Sequence, residues 1–333
     1  VIKIYKFNPE LNLKLYFMQL LTNIQPSMKL FVFLCLVFLT NSAVLGQANG
    51  RFISFDQALK EFEKVKWLDL DCRDIPKVSK QIGKLPNLES LYLTGCELEE
   101  LPRGIEMVKT LQLLNVQDNK LSSLPLELKV LEKITVTNLR NNAFEDFPEV
   151  LKYMPQLREI DLSYNKELNL ENALNTLSKI QKLDFLYLSG LNIRTIPIMI
   201  KELKLLEELH LSDNPELDLA NVFASLSQAP SLKILVLAEN RLTSIPADVK
   251  LLQQLNGLVL DKNPKIEFES LVENLSQLPN LKVLLLRKNQ LTNLPKDLKG
   301  LSNLAVLELS GNNFSETEQA RIKSLLPNTN VVF

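Results

Sequence analysis

From Leu281 the chain reads LKVLLLRKNQLTNLPKDLKGLSN, with leucine at the first, fourth and sixth positions, Asn289 at the ninth and Leu291 at the eleventh. The same frame starts again at Val65, Leu88, Leu111, Ile134, Leu157, Leu183, Leu206, Leu232, Leu255 and Leu304, which makes eleven copies. A short unit repeated this often has no single globular core to close around. Each copy buries its apolar side against the next, so the expected product is a solenoid.

Most copies are 23 residues long, and those starting at 157, 206 and 255 are 26 long. From Leu157 onward long and short copies alternate, giving a larger period of 49 residues. Positions 3 to 7 are expected to form a short strand of a parallel sheet, with 4 and 6 facing the core and 3, 5 and 7 facing out. The ninth-position amides (Asn119, Asn142, Asn165, Asn214, Asn240, Asn263, Asn289 and Asn312) carry donors and an acceptor. Stacked, they can satisfy backbone groups where the chain leaves the strand. Arg73, Cys96 and Leu191 replace asparagine in the first, second and sixth copies. Later in the short copies comes Leu-Pro or Ile-Pro, as in Leu124-Pro125 and Ile245-Pro246. Proline cannot extend a sheet but suits a helix start, so the far side is expected to be short helical turns. The three added residues of the long copies are close to one further helical turn.

The ends differ from the repeats. Arg51–Lys64 reads as a capping helix within a 47–64 cap, with Ser54 and Gln57 as a capping box. Ser315 and Glu318 suggest a second box in a cap over 315–333. Upstream, Met28-Lys29 precedes ten apolar residues, Leu30 to Leu39, and a run of small and polar residues to Gly46. That pattern is a secretory signal peptide. The run is shorter than the ~20 residues that cross a bilayer, so no stable membrane insertion is expected. Residues 28–46 are read as the leader, cleaved near Gly46, and 1–27 as an upstream extension, unstructured or not translated. The product is expected to be secreted, periplasmic or held at the cell envelope. Beyond the leader remain Cys72 and Cys96, at the eighth and ninth places of successive copies and so facing different ways. A bridge between them stays open, because pairing requires strict alignment.

The frame over Val65–Phe314 resembles leucine-rich-repeat proteins of the typical 23-residue class with the L-x-x-L-P motif on the convex side. The resemblance implies an α/β repeat solenoid: a right-handed horseshoe that binds proteins, or sometimes glycans, on a concave parallel sheet. Secreted bacterial members are similar in their leader and bare C-terminal cap. Animal extracellular members carry cysteine-rich flanking caps that this chain lacks.

Binding candidates follow from the outward positions. The N-terminal half offers Trp67, Asp69, Tyr92, Asn115, Asn138, Arg140, Asp161, Phe185, Tyr187 and His210. Aromatics beside arginine are what binding hot spots favour, although a solvated sheet with scattered aromatics reads the same way. The C-terminal half offers Ile234, Val236, Val259, Val283 and Leu285, with Val306 beside them, a contiguous apolar set of the kind that marks an interface unless curvature hides it. A formal net charge of −1, or −4 once Lys3, Lys6, Lys14, Lys29 and Glu10 are removed with the leader, gives no basic field for nucleic acid. Catalytic signals are weak. His210 is the single histidine, placed to be solvated or to touch a ligand. Metal-ligand cysteine spacing is absent, and Asp213, Glu216 and Asp218 lack calcium-loop spacing. Glu159 and Asp161 are neighbouring carboxylates of a kind common on any solvated sheet. The reading is a non-enzymatic binding module without cofactor or metal, with a protein partner. An adhesion or structural protein contacting glycan or matrix is the alternative, and a carbohydrate-active enzyme a distant third.

Overall fold

The computed structural model describes residues 50–333, so the expected leader at 28–46 and the segment before it lie outside the described residues. Thirteen parallel strands among them form one sheet in unbroken chain order. They are β1 (Arg51–Phe52), β2 (Trp67–Asp69), β3 (Ser90–Tyr92), β4 (Leu113–Asn115), β5 (Val136–Asn138), β6 (Glu159–Asp161), β7 (Phe185–Tyr187), β8 (Glu208–His210), β9 (Ile234–Val236), β10 (Gly257–Val259), β11 (Val283–Leu285), β12 (Val306–Glu308) and β13 (Asn330–Val332). Strands β2 to β12 are the eleven repeats, and the caps add β1 and β13.

Each repeat strand covers positions 3 to 5, shorter than the expected 3 to 7. Beyond the strand, at position 8, the backbone turns left-handed in repeats two to eleven, from Gly95 to Gly311. The turns nevertheless stay stacked: Gly95 N–H donates to Gln117 O at 3.1 Å and Lys262 N–H to Arg287 O at 2.9 Å. Below the sheet, position 4 gives a row of buried leucines, including Leu68, Leu91, Leu209 and Leu284, and position 6 gives a second. Burying such a leucine stabilises by ~1.5–3 kcal/mol, and each one touches the repeats on both sides.

The ninth-position amides knit the strand exits. The Asn263 amide donates to Leu237 O and Leu260 O, each at 3.0 Å, while its oxygen accepts from Asn240 N and Leu242 N, also at 3.0 Å. Asn214 does the same with its own repeat and the one before it. On the opposite side, the first short repeat makes an α-helix, Ile75–Gln81, and later ones make 3-10 turns such as Leu126–Val130 and Ala247–Leu251, with proline as the preceding cap residue. The three long repeats make α-helices instead: Leu170–Leu177, Leu219–Leu226 and Phe268–Leu275. In chain order the α-helices are α1 (Phe55–Lys60), α2 (Ile75–Gln81), those three as α3, α4 and α5, and α6 (Glu316–Leu325).

The N-terminal cap departs from expectation. Arg51 and Phe52 pair with Trp67 and Leu68 as a strand rather than opening a helix, and α1 is followed by a 3-10 turn, Phe62–Lys64. Ser54 is the N-cap residue by conformation but makes no side-chain cap bond. The Asp74 carboxylate accepts from Phe55 N–H instead, at 3.1 Å. At the other end the Ser315 hydroxyl accepts from Glu318 N–H at 3.2 Å, as expected of a cap. The Glu318 carboxylate turns to Leu294 N–H and Arg321, and Arg321 donates to Leu294 O and Pro295 O, clamping α6 to the repeat before it.

Cys72 and Cys96 form a disulfide. Cys72 escapes the orientation expected at position 8 because the first repeat enters a 3-10 turn, Cys72–Asp74, in place of the left-handed residue found in the other ten.

Candidate functional site

Side chains alternate across a strand, so positions 3 and 5 share the face opposite the core. Register extends each into an unbroken row. One row includes Arg51, Trp67, Ser90, Leu113, Val136, Glu159, Phe185, Glu208, Ile234, Gly257, Val283 and Val306. The other runs through Asp69, Tyr92, Asn115, Asn138, Asp161, Tyr187, His210, Val236, Val259, Leu285 and Glu308. Every residue picked out from the sequence lies on these rows except Arg140, which stands at the rim with its guanidinium 4.2 Å from the Tyr164 ring centroid.

At the N-terminal end the aromatics are engaged with each other. The Arg51 guanidinium lies 3.6 Å from the centroid of the Trp67 ring, and the Tyr92 ring stacks on Trp67 with centroids 5.0 Å apart. Because β1 and β3 flank β2, the two partners approach Trp67 from opposite sides. Burial, and secondarily the Asp69 carboxylate, push the Tyr92 hydroxyl up to about 12, so it stays a neutral hydrogen-bonding group.

The polar middle serves the fold as well as the face. Asn115 Oδ1 accepts from Gln117 N–H at 3.1 Å, Asn138 Oδ1 from Arg140 N–H at 3.0 Å and Asp161 Oδ1 from Ser163 N–H at 2.9 Å. Each side chain thus caps the end of its own strand. Asn138 also donates to Gln117 Oε1 at 2.8 Å. His210 is not solvated: it is fully buried, stacked on Tyr187 at 4.2 Å, with Nε2 2.6 Å from Glu208 Oε1. Glu208 precedes it by two residues and so shares its face, a pairing that periodicity shows but that escaped the sequence reading.

Exposure separates the candidates. Trp67, Asp69, Tyr92, Asn115, Asn138, Arg140, Phe185 and Ile234 are half-buried. Asp161, Tyr187, His210, Val236, Val259, Val283 and Leu285 are buried, Val259 and Leu285 completely. The apolar end therefore does not present the open patch expected of it. Strands ~4.8 Å apart set Val236, Val259 and Leu285 side by side in one row. Leu113 and Val136, half-buried and paired with each other on the first row, were not among the residues picked out from the sequence.

The acidic stretch after Ser212 is structural in part: Asp213 accepts from the Tyr164 hydroxyl at 3.0 Å, and Asp218 caps α4. Among the described residues no group of three or more His, Cys, Asp or Glu side chains is set to hold a metal, and no helix is long and apolar enough to cross a membrane.

Comparison with known proteins agrees with this architecture. A model described as a leucine-rich repeat region matches residues 15–186, more than half of the chain, and one for two copies of leucine-rich repeats matches 279–320. No curated protein matches. Among solved structures, an LRR protein of Leptospira interrogans has 23% identity over 85% of this chain and 99% of its own, with a TM-score of 0.33. TLR13, in its complex with ssRNA13, has 24% identity over 80% of this chain and a TM-score of 0.55. This chain spans only 39% of that receptor, and the likeness is one of fold. With its repeat frame, its stacked parallel strands and its asparagine ladder, this chain belongs to the leucine-rich repeat family.

Proposed function

We propose that this chain is a secreted, non-enzymatic binding module that holds a protein partner on the outward face of its sheet. The observation that carries the proposal is the pair of unbroken, in-register rows, which present Leu113, Val136, Phe185 and Ile234 half-buried among polar side chains. Thirteen strands at ~4.8 Å spacing give a face on the order of 60 Å long, ample for a standard protein interface. Family membership supports the same role, since leucine-rich repeats are generally protein-interaction modules. Export is supported by the leader pattern at 28–46 and by the disulfide, which persists in oxidising compartments.

Glycan or matrix binding at the envelope is the second reading. It asks for free aromatic faces, whereas Trp67 lies between Arg51 and Tyr92, and Tyr187 stacks on His210. The protein reading is favoured on that ground.

The test is capture from envelope and host extracts by the wild type and by a Phe185→Glu/Ile234→Glu variant with unchanged melting temperature. Val259→Asp is unsuitable, because Val259 is completely buried and the change would act through stability. Capture of one defined protein by the wild type, reduced at least tenfold in the variant, is expected. Equal capture by both, or binding to immobilised glycans alone, overturns the reading.

A further inference from the structure

We infer that the Cys72–Cys96 disulfide is a redox-cleavable clasp on the first two repeats, doing at that junction what asparagine does along most of the ladder. From the third repeat on, the sixth excepted, a ninth-position amide bonds back to the repeat before it, as Asn119 does: it donates to Leu93 O at 2.7 Å and accepts from Cys96 N–H at 3.0 Å. The second repeat is thereby fastened to the third. Between the first and second no such amide exists, since position 9 holds Arg73 and then Cys96; the covalent tie there is the disulfide, beside the Trp67–Tyr92 stack and the Lys66–Glu89 ion pair at 3.5 Å.

The sixth repeat shows why the place matters. It too lacks the asparagine, having Leu191, but there the Ser163 hydroxyl accepts from Ser189 N–H at 3.1 Å and Asn214 accepts from Leu191 N–H at 3.0 Å. It also has repeats on both sides. The first repeat has a neighbouring repeat on one side only, where a solenoid frays most readily. Both sulfur-bearing residues are half-buried, within reach of a small dithiol.

Reduction proceeds by thiol–disulfide exchange. One thiolate of a dithiol attacks a sulfur of the pair, the Cys72–Cys96 bond breaks, and a mixed disulfide forms. The second thiolate of the reductant then displaces the protein sulfur. Two electrons pass to the pair, two protons end on the Cys72 and Cys96 thiols, and the reductant leaves as a cyclic disulfide. The consequence is local: residues 50–87 lose their clasp, and the repeats from Leu88 onward, tied by Asn119 and the amides after it, keep theirs.

The single tryptophan, Trp67, lies inside the clasped unit and reports on it selectively. The full chain is unfolded in urea with and without dithiothreitol, following tryptophan fluorescence and far-ultraviolet circular dichroism together. A Cys72→Ser/Cys96→Ser variant is run without reductant. The two probes should share one midpoint when oxidised. After reduction, and in the variant, the fluorescence midpoint should fall well below the dichroism midpoint, with Trp67 environments opening about a hundredfold more often. Probes that remain coincident after reduction, whether both unmoved or both shifted together, overturn the clasp.

Discussion

The exit from each strand is where single residues matter most. Position 8 is left-handed in ten repeats, yet glycine occupies it only at Gly95, Gly190 and Gly311. Asp118, Asn141 and Asp213 tolerate that conformation, whereas Tyr164, Glu239, Lys262 and Lys288 are held in it at ~1–2 kcal/mol each. Stacking of the turns offsets the cost through their backbone bonds and through side-chain ties such as Asn141 to Asp118 at 2.8 Å and Lys262 to Glu239 at 2.6 Å. At Gly190 a second demand applies. A Cβ there would lie 2.5 Å from the Tyr164 ring, which passes over it to reach Asp213, while a Cβ at Gly95 would meet nothing within 4 Å. Gly95→Ala should therefore cost about 1 kcal/mol, the backbone term alone. Gly190→Ala should cost about 3 kcal/mol, since the ring must move as well. Urea melts of the two variants check the difference, and equal losses would show that the backbone term alone decides.

At the level of elements, the three long repeats each enter a helix at an equivalent position, occupied by Asn169, Asp218 and Glu267. The first two cap their helices by accepting from Asn172 N–H and Asn221 N–H, but Glu267 makes no such bond. Glu267→Asp should supply the missing cap to α5 and raise stability by about 0.5–1 kcal/mol, measured by urea melts. The C-terminal cap carries a pH signature. Hydrogen bonding to Arg321 is the main cause holding the Glu318 carboxyl below its ordinary range. Its folded value is depressed, so the stability it contributes is present above the ordinary carboxylate range and is lost as pH falls through the folded value. Arg321→Ala should loosen α6, cost about 1–3 kcal/mol at neutral pH, and flatten that acid dependence. A variant with the wild-type acid slope would place the dependence elsewhere.

At the level of the whole molecule, the described chain is a one-dimensional stack in which each repeat meets only its neighbours. Excising 206–254, one 49-residue long-plus-short unit, should leave a folded solenoid with two fewer strands, because Asn263 would then serve Leu191 and Ile193 as Asn214 does now. Unchanged dichroism per residue with a smaller urea m-value is the expected result. The sequence by itself determined the number and register of the repeats, the buried leucine rows, the asparagine ladder and the added helical turn of the long copies. All of these are local consequences of a frame in which every copy meets the same neighbours. Only the tertiary structure decided what happens where the frame is interrupted or where residues from different copies meet. Arg51 became a strand residue stacked on Trp67. Cys72 met Cys96 because one turn is right-handed. His210 was closed in by Tyr187 from the neighbouring strand, and the valines of β9 to β11 were closed from solvent. Those outcomes depend on side chains brought together across adjacent strands, a proximity that the hydrophobic period of a single copy does not contain.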